Sequence, residues 1–239
     1  MERITEHVWW LPPGPPDRPS LCAVVGERWT VALDAGASRA HARSFLDGLP
    51  SRPAAVAYTH SHWDHVFGGV ELGALVLAHR VTAVNLATMA ALDWNDDANV
   101  NDDIREELPS PRTVEIAQAD VVFDEALDLD LGGVSVRIEH VVSDHCEDAC
   151  VILVRPDRLL FVGDALCAGK DVLTRQKALP LYDRILAYDT DRYVEGHHPA
   201  VTTRAAMEEL IAKARAAARG EELHDEDGMY FRAAFARSA

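Results

Sequence analysis

The richest group of chemically active side chains lies in one short segment, His60-Ser61-His62-Trp63-Asp64-His65. It supplies three imidazoles and a carboxylate, which are nitrogen and oxygen ligands that zinc accepts in proteins. On an extended or turning backbone, His60 and His62 can point to one side while Asp64 and His65 turn toward another. This arrangement predicts two metal ions held side by side. The alternative interpretation is a polar loop whose histidines are solvated.

The elements around this segment indicate how it would be positioned. Residues 54–58 form an apolar run that is typical of a short buried β-strand. Residues 59–69 are polar and end in glycine, which predicts a loop at the carboxyl edge of that strand. Upstream, Ser38 is a candidate N-cap for a helix that runs through Leu46 and ends near Gly48.

Short apolar runs alternate with turn signals along the rest of the chain. The predicted strands are 7–11, 21–25, 29–34, 54–58, 75–78, 121–123, 127–131, 134–140, 150–154, 159–162 and 193–195, and further helices are predicted at 82–92 and 204–219. Because no repeat or linker divides these elements, we expect one mixed α/β domain over residues 1–239. It would carry an insertion near 93–111, either an ordered lid or a flexible segment, and a short acidic tail at 220–239. Specificity would lie in loops at 12–19, 93–111 and 170–182.

Composition and charge restrict the possible partners. The chain has 23 Lys and Arg against 39 Asp and Glu, a net charge of -16. Such an acidic surface repels phosphate backbones, so we expect a small-molecule substrate and no nucleic acid. No apolar run approaches about 18 residues, and the N-terminal residues lack the apolar core of a signal peptide, so we expect no membrane partner and a cytoplasmic location. The oligomeric state stays open.

The H-x-H-x-D-H segment resembles the signature of the metallo-β-lactamase fold superfamily. Later motifs of that family appear in the same order and the same strand context. They are an Asp-x-Gly turn at Asp34-Ala35-Gly36, a further histidine at His145, an aspartate after a strand at Asp164, and a Gly-His pair at Gly196-His197. The resemblance spans about residues 4–219.

This resemblance implies a fold, a ligand set and a cofactor. The fold would be a four-layer αββα sandwich of two mixed β-sheets flanked by helices. The implied ligands are His60, His62 and His145 for one metal ion, Asp64, His65 and His197 for the other, and Asp164 as a bridge. Asp34 would accept a hydrogen bond from a ligand histidine. The ions would be two divalent cations, zinc first, with manganese or iron as alternatives.

The resemblance also implies a reaction, in which a hydroxide bridging the two ions attacks the carbonyl carbon of an ester, thioester or lactone. Asp64 would be the catalytic proton acceptor and later donor. A bridging carboxylate at Asp164 is similar to the glyoxalase II, lactonase and thioesterase branches rather than to the true β-lactamases. One alternative is a mononuclear iron oxygenase that resembles the persulfide dioxygenases, and another is a non-catalytic metal-binding protein.

Some assignments stay open at this point. His198 could replace its neighbour His197 as the ligand or could meet the substrate, although His197 directly follows Gly196 as the family pattern requires. Asp144 or Glu147, beside His145, could orient a ligand imidazole or could simply lie on the surface. No substrate-binding residue is identified.

Overall fold

The computed structural model describes residues 1–143, 145–166 and 175–218, except for the side chains of 175–179, 214, 217 and 218. The expected acidic tail at 220–239 therefore lies outside the described residues. Within them the chain forms two β-sheets and a set of helices. The helices are α1 (Arg39–Asp47), α2 (Trp63–Val66), α3 (Gly69–Leu72), α4 (Arg80–Ala90), α5 (Asp102–Glu107), α6 (Arg175–Ala187) and α7 (Arg204–Ala218).

The first sheet contains the first seven strands in chain order. They are β1 (Glu2–Arg3), β2 (Val8–Leu11), β3 (Leu21–Val25), β4 (Thr30–Leu33), β5 (Ala55–Ala57), β6 (Leu75–His79) and β7 (Val121–Phe123). Strands β1 to β4 pair antiparallel, whereas β4 to β7 pair parallel. Every residue of β4 and β5 is buried, as expected for parallel strands that are covered on both faces.

The second sheet has the order β13-β12-β11-β10-β9-β8. Its strands are β8 (Ala126–Asp130), β9 (Ser135–His140), β10 (Cys150–Arg155), β11 (Leu159–Gly163), β12 (Arg192–Glu195) and β13 (Thr202–Thr203). Strands β11 and β12 pair parallel, and the other neighbours pair antiparallel. Both sheets are therefore mixed.

Strand β10 shows how the layers stack. Because successive side chains of a strand point to opposite faces, Ile152 and Val154 lie in the core between the two sheets. Val151 and Leu153 point the other way and pack against α6 and α7. On the far side, the first sheet packs against α1 and α4. The prediction of a four-layer αββα sandwich is confirmed.

Most predicted elements are present, with ends that differ by a few residues. Ser38 is the N-cap of α1, and its side chain accepts a hydrogen bond from the backbone N–H of His41. The prediction of loops was wrong in two places. Residues 59–69 include α2, and residues 170–182 include the start of α6. Both helices begin in polar stretches whose apolar contacts are made only in the folded chain.

The region 93–111 is tied to the helical layer beside the first sheet. It contains a short 3₁₀ turn at Asp97–Asn99 and helix α5. Trp94, Val100 and Ile104 are buried in the same core as α1 and α4. Among the described residues, none of the helices could cross a lipid bilayer, since each falls short in length or in apolar character.

Candidate metal centre

The predicted ligands come from strand ends at one edge of the sandwich. Asp34 follows β4, and the segment that begins at His60 follows its parallel neighbour β5. In the second sheet, Asp164 follows β11 and His197 follows its parallel neighbour β12. Parallel strands present their carboxyl ends at the same edge, where ligand sites commonly form. The Cys150 N–H donates to the Thr59 carbonyl oxygen at 2.7 Å and joins the two sheets beside the site.

The first ligand group consists of three imidazoles. His145 Nε2 lies 3.3 Å from His60 Nε2 and 2.9 Å from His62 Nδ1. The three ring nitrogens therefore converge on one point and can serve as donors to a single ion. His60 is buried and His62 is exposed, so this group opens to solvent on one side.

The second ligand group combines carboxylates with imidazoles. Asp64 Oδ2 lies 3.1 Å from His65 Nε2 and 3.1 Å from His197 Nε2. Asp164 Oδ2 completes the group at 3.5 Å from His65 Nε2 and 3.4 Å from His197 Nε2. Asp64, His65 and Asp164 are buried, whereas His197 is half-buried.

Asp164 lies between the two groups. The same Oδ2 atom that faces the second group is 3.5 Å from His145 Nε2 in the first. Its other oxygen, Oδ1, is buried and has no hydrogen-bond partner among the described residues. A buried carboxylate oxygen without a donor is costly unless a cation compensates it. The donor set, with imidazoles on one side and carboxylates beside them, therefore fits divalent metal binding.

The two groups differ in how they hold protons. Burial lowers the pKa of His60 well below its ordinary value and lowers the pKa of His145 to about 4. Burial also acts to lower the pKa of His197, but hydrogen bonds with Asp164 and Asp64 outweigh it and raise that pKa to about 10. His60 and His145 therefore present neutral nitrogens at neutral pH, whereas His65 and His197 of the metal-free second group retain protons.

Asp34 supports both groups from behind. Its side chain accepts hydrogen bonds from the Thr59 N–H at 2.7 Å, the Thr59 hydroxyl at 2.8 Å and His65 Nδ1–H at 2.7 Å. Because the Thr59 hydroxyl donates to Asp34, it accepts from His60 Nδ1–H, 3.0 Å away. This series of hydrogen bonds puts the proton of His60 on Nδ1 and leaves the lone pair on Nε2, the atom that faces His145. The Asp34 carboxylate thus hydrogen-bonds to His65, one of the predicted ligands, and Thr59 links it to His60, another.

Asp148 is a supporting residue that sequence analysis missed. Its buried carboxylate accepts from the backbone N–H of Ser61 at 2.9 Å and from the Thr82 hydroxyl at 3.0 Å. Ser61 lies between two ligand histidines, so Asp148 fixes the loop that carries them. Of the two carboxylates that sequence analysis considered beside His145, Asp144 lies outside the described residues and Glu147 is exposed.

The structure separates the two adjacent histidines. His197 Nε2 faces the second ligand group. His198 turns away, and its Nδ1 lies 2.8 Å from the backbone oxygen of Ala200. The geometry therefore brings together His197, and not His198, with the other six predicted side chains.

Comparisons with known proteins agree with this geometry. The sequence profile of the metallo-beta-lactamase superfamily matches residues 15–218. No curated protein matches the sequence significantly. A search of solved structures finds the same fold in many proteins of low sequence identity.

Three of these structures illustrate the range of sequence identity and coverage. A metallo-beta-lactamase with a HARLDQ motif from Cronobacter sakazakii is 17% identical with a TM-score of 0.67, and the match covers 100% of this chain and 95% of that one. An archaeal superfamily protein from Sulfolobus tokodaii is 21% identical with a TM-score of 0.63, over 95% and 94%. A variant of a sec-alkyl sulfatase is 13% identical with a TM-score of 0.64, over 91% of this chain and 41% of that one.

At these identities the structural matches show the fold alone, whereas the profile match covers most of the chain. The matched region contains all seven side chains of the two ligand groups. On this evidence the chain belongs to the metallo-beta-lactamase superfamily.

Proposed function

We propose that this protein is a dinuclear metallohydrolase that cleaves an ester, thioester or lactone in a small-molecule substrate. The superfamily and the two candidate metal-binding groups support a metal-dependent hydrolase in general. The finer assignment depends mainly on one observation. Asp164 Oδ2 lies about equally far from His145 of the first group and from His65 and His197 of the second.

A shared carboxylate supports two ions rather than one. Asp164 can reach an ion in either group without moving, and its negative charge would reduce the repulsion between two neighbouring dications. When bound, two divalent ions supply a water that ionises near neutral pH and a positive charge for a developing oxyanion. Zinc is the first choice for this donor set, and manganese and iron are compatible with it.

Asp64 is the proposed proton acceptor. Burial acts to raise its pKa, but the charge of His65 and the hydrogen bond from His197 outweigh it and keep the pKa well below its usual value. The carboxylate is therefore ionised at neutral pH. One oxygen faces the imidazoles of the second group, and the other would take a proton and later return it to the leaving group.

The bond type is proposed from Asp164 and from the chemistry of the site. Metal ions held by His60, His62 and His145 and by Asp64, His65, Asp164 and His197 would supply a nucleophilic water and a Lewis acid, and this combination suits a carbonyl carbon. Acyl esters, thioesters and lactones share that carbon and differ in the leaving atom. The substrate panel must therefore include an ester, a thioester and a lactone. It must also include a β-lactam and a secondary alkyl sulfate, the compound classes in the names of two structural neighbours.

The test combines metal analysis with hydrolysis. The protein is expressed in zinc-supplemented medium, its metal content is measured by plasma mass spectrometry, and the same preparation is assayed on the panel before and after chelation. We expect two ions per chain, carbonyl hydrolysis that chelation abolishes, and recovery when zinc is restored. One iron per chain with oxygen consumption would favour the oxygenase alternative. Hydrolysis by the metal-free protein would overturn the proposal.

A further inference from the structure

Each imidazole of the second ligand group has a carboxylate at its outer nitrogen. For His65 this carboxylate is Asp34, 2.7 Å from Nδ1. For His197 it is Asp17, whose Oδ1 lies 3.3 Å from Nδ1. The outer nitrogen of His60, in the first group, instead faces the hydroxyl of Thr59. Ligand histidines commonly donate their second N–H to a carboxylate, which orients the ring and favours metal binding.

The backbone holds Asp17 at this position. Gly14 and Arg18 exchange two hydrogen bonds, N–H to O at 2.9 and 2.8 Å, which close a tight loop around Asp17. The N–H of Ser20 then donates to the Gly196 carbonyl oxygen at 2.6 Å. Because Gly196 precedes His197, this main-chain hydrogen bond joins the loop to the segment that carries the imidazole.

A partly buried ion pair anchors the same loop from its outer side. The Arg18 guanidinium donates from Nε at 2.9 Å and from Nη2 at 3.0 Å to the two oxygens of Glu107 in α5. The Glu107 side chain is only 1% exposed and also accepts from the Ser38 hydroxyl, at the start of α1. Planar two-point pairs of this kind resist rotation. The loop that carries Asp17 is thus held by Gly196 and by Glu107 of α5, and Glu107 is itself held by Ser38.

We propose that Asp17 is a positioning residue for His197, which holds the imidazole with Nε2 directed at the second metal ion. This inference rests on the proposed function, because it needs an ion at the second group. Asp17 lies in the proline-rich segment 12–19, where sequence analysis placed only substrate specificity. The loop therefore contributes to the metal centre itself as well as to its entrance.

The test measures affinity for the second ion directly. In a His62→Ala background, which disables the first group, Co²⁺ is titrated into the metal-free protein and followed by its visible absorption. We expect Asp17→Ala to weaken Co²⁺ binding by about 10–100-fold, the usual cost of removing a partner of a ligand histidine. Asp17→Glu, which keeps the carboxylate, should recover most of the loss, and the absorption band should shift in Asp17→Ala because the ligand ring is less constrained.

Asp102→Asn is the matched control, because it removes a nearly fully exposed carboxylate from α5. Its Co²⁺ affinity should equal that of the background variant. Unchanged affinity and spectrum in Asp17→Ala would overturn the inference, and so would an equal loss in Asp17→Ala and Asp17→Glu. Metal analysis of the unsubstituted chain separates the two proposals. A single ion per chain contradicts the dinuclear function, and if that ion is held by the first group the role of Asp17 is also rejected.

Discussion

The two ligand groups lie side by side but are built on different physical principles. The first has three imidazoles and no carboxylate of its own, and its His62 is exposed. The second has two carboxylates and two imidazoles, and most of its atoms are buried. A divalent ion would therefore be balanced by carboxylate charge in the second group, whereas in the first it would be held by imidazole nitrogens.

The hydrogen-bond partners of the two groups also differ in charge. Behind the first group, the Thr59 hydroxyl orients His60, and Asp148 fixes the intervening backbone. Behind the second, the carboxylate of Asp34 orients His65 directly. The first group therefore depends on the shape of one loop, whereas the second depends on the balance of charge. Asp164 is the element that both share.

Removal of the shared carboxylate should have the largest effect. Asp164→Ala would remove the one carboxylate that faces both groups, which leaves the first group with no carboxylate and the second with Asp64 alone. We expect metal content to fall below one ion per chain and hydrolysis to drop by more than about 100-fold, beyond the usual cost of losing an outer partner. Metal analysis and kinetics on the same preparation measure both. Full metal content in this variant would contradict the bridging role.

A smaller change can disturb the same carboxylate without removing it. A Cβ added at Gly196 would lie 2.0 Å from Asp164 Oδ1, so Gly196→Ala must displace that side chain. We expect about a 10-fold or greater loss of metal affinity in both groups. Gly14→Ala is the control, since a Cβ there meets nothing within 4 Å. Equal metal affinity in the two variants would show that Asp164 tolerates displacement.

Substitution of the two supporting carboxylates, Asp148 and Asp34, should affect the two ligand groups differently. Asp148→Asn disturbs the Ser61 backbone and should weaken the first group, whereas Asp34→Asn removes the charge behind His65 and should weaken the second more strongly. We expect about a 10-fold loss in affinity for one ion in each variant. Stepwise Co²⁺ titration with visible spectra distinguishes the two steps. If both variants weaken the same step, the comparison between the groups fails.

In the metal-free protein, the contributions of His197 and His145 to the free energy of unfolding should change with pH in opposite directions. The raised pKa of His197, about 10, gives stability that is complete below about pH 6.5 and is lost as pH rises toward 10. The lowered pKa of His145, about 4, has the opposite effect, and stability is lost as pH falls from about 6.5 toward 4.

Chemical unfolding of the metal-free chain between about pH 4 and pH 10 measures both the alkaline and the acid loss of stability. The alkaline loss of stability should be reduced in His197→Ala, and the acid loss should be reduced in His145→Ala. Identical pH profiles for the two variants would contradict the assignment of protons to the second group.

The fold was largely predictable because its signals are local. Alternation of apolar residues and turn residues is enough to place most strands, and Ser38 marks the start of α1. The errors occurred where tertiary contacts override local composition. Helix α2 forms inside a polar stretch because its buried face, including Val66, packs into the core beside the first sheet. Periodicity over four residues is too short to reveal such a helix.

The residue types alone indicated which side chains could bind metal, because imidazole and carboxylate chemistry and the spacing of one segment can be read from the sequence. They did not indicate which atoms face one another. Asp17 lies beside His197, and Asp148 accepts a hydrogen bond from the Ser61 backbone. Both contacts join residues far apart in the chain, so they depend on how strands from two sheets meet at one edge. The position of Asp164 between the groups and the direction of His198 emerged from the folded chain, because both depend on side-chain direction rather than residue identity.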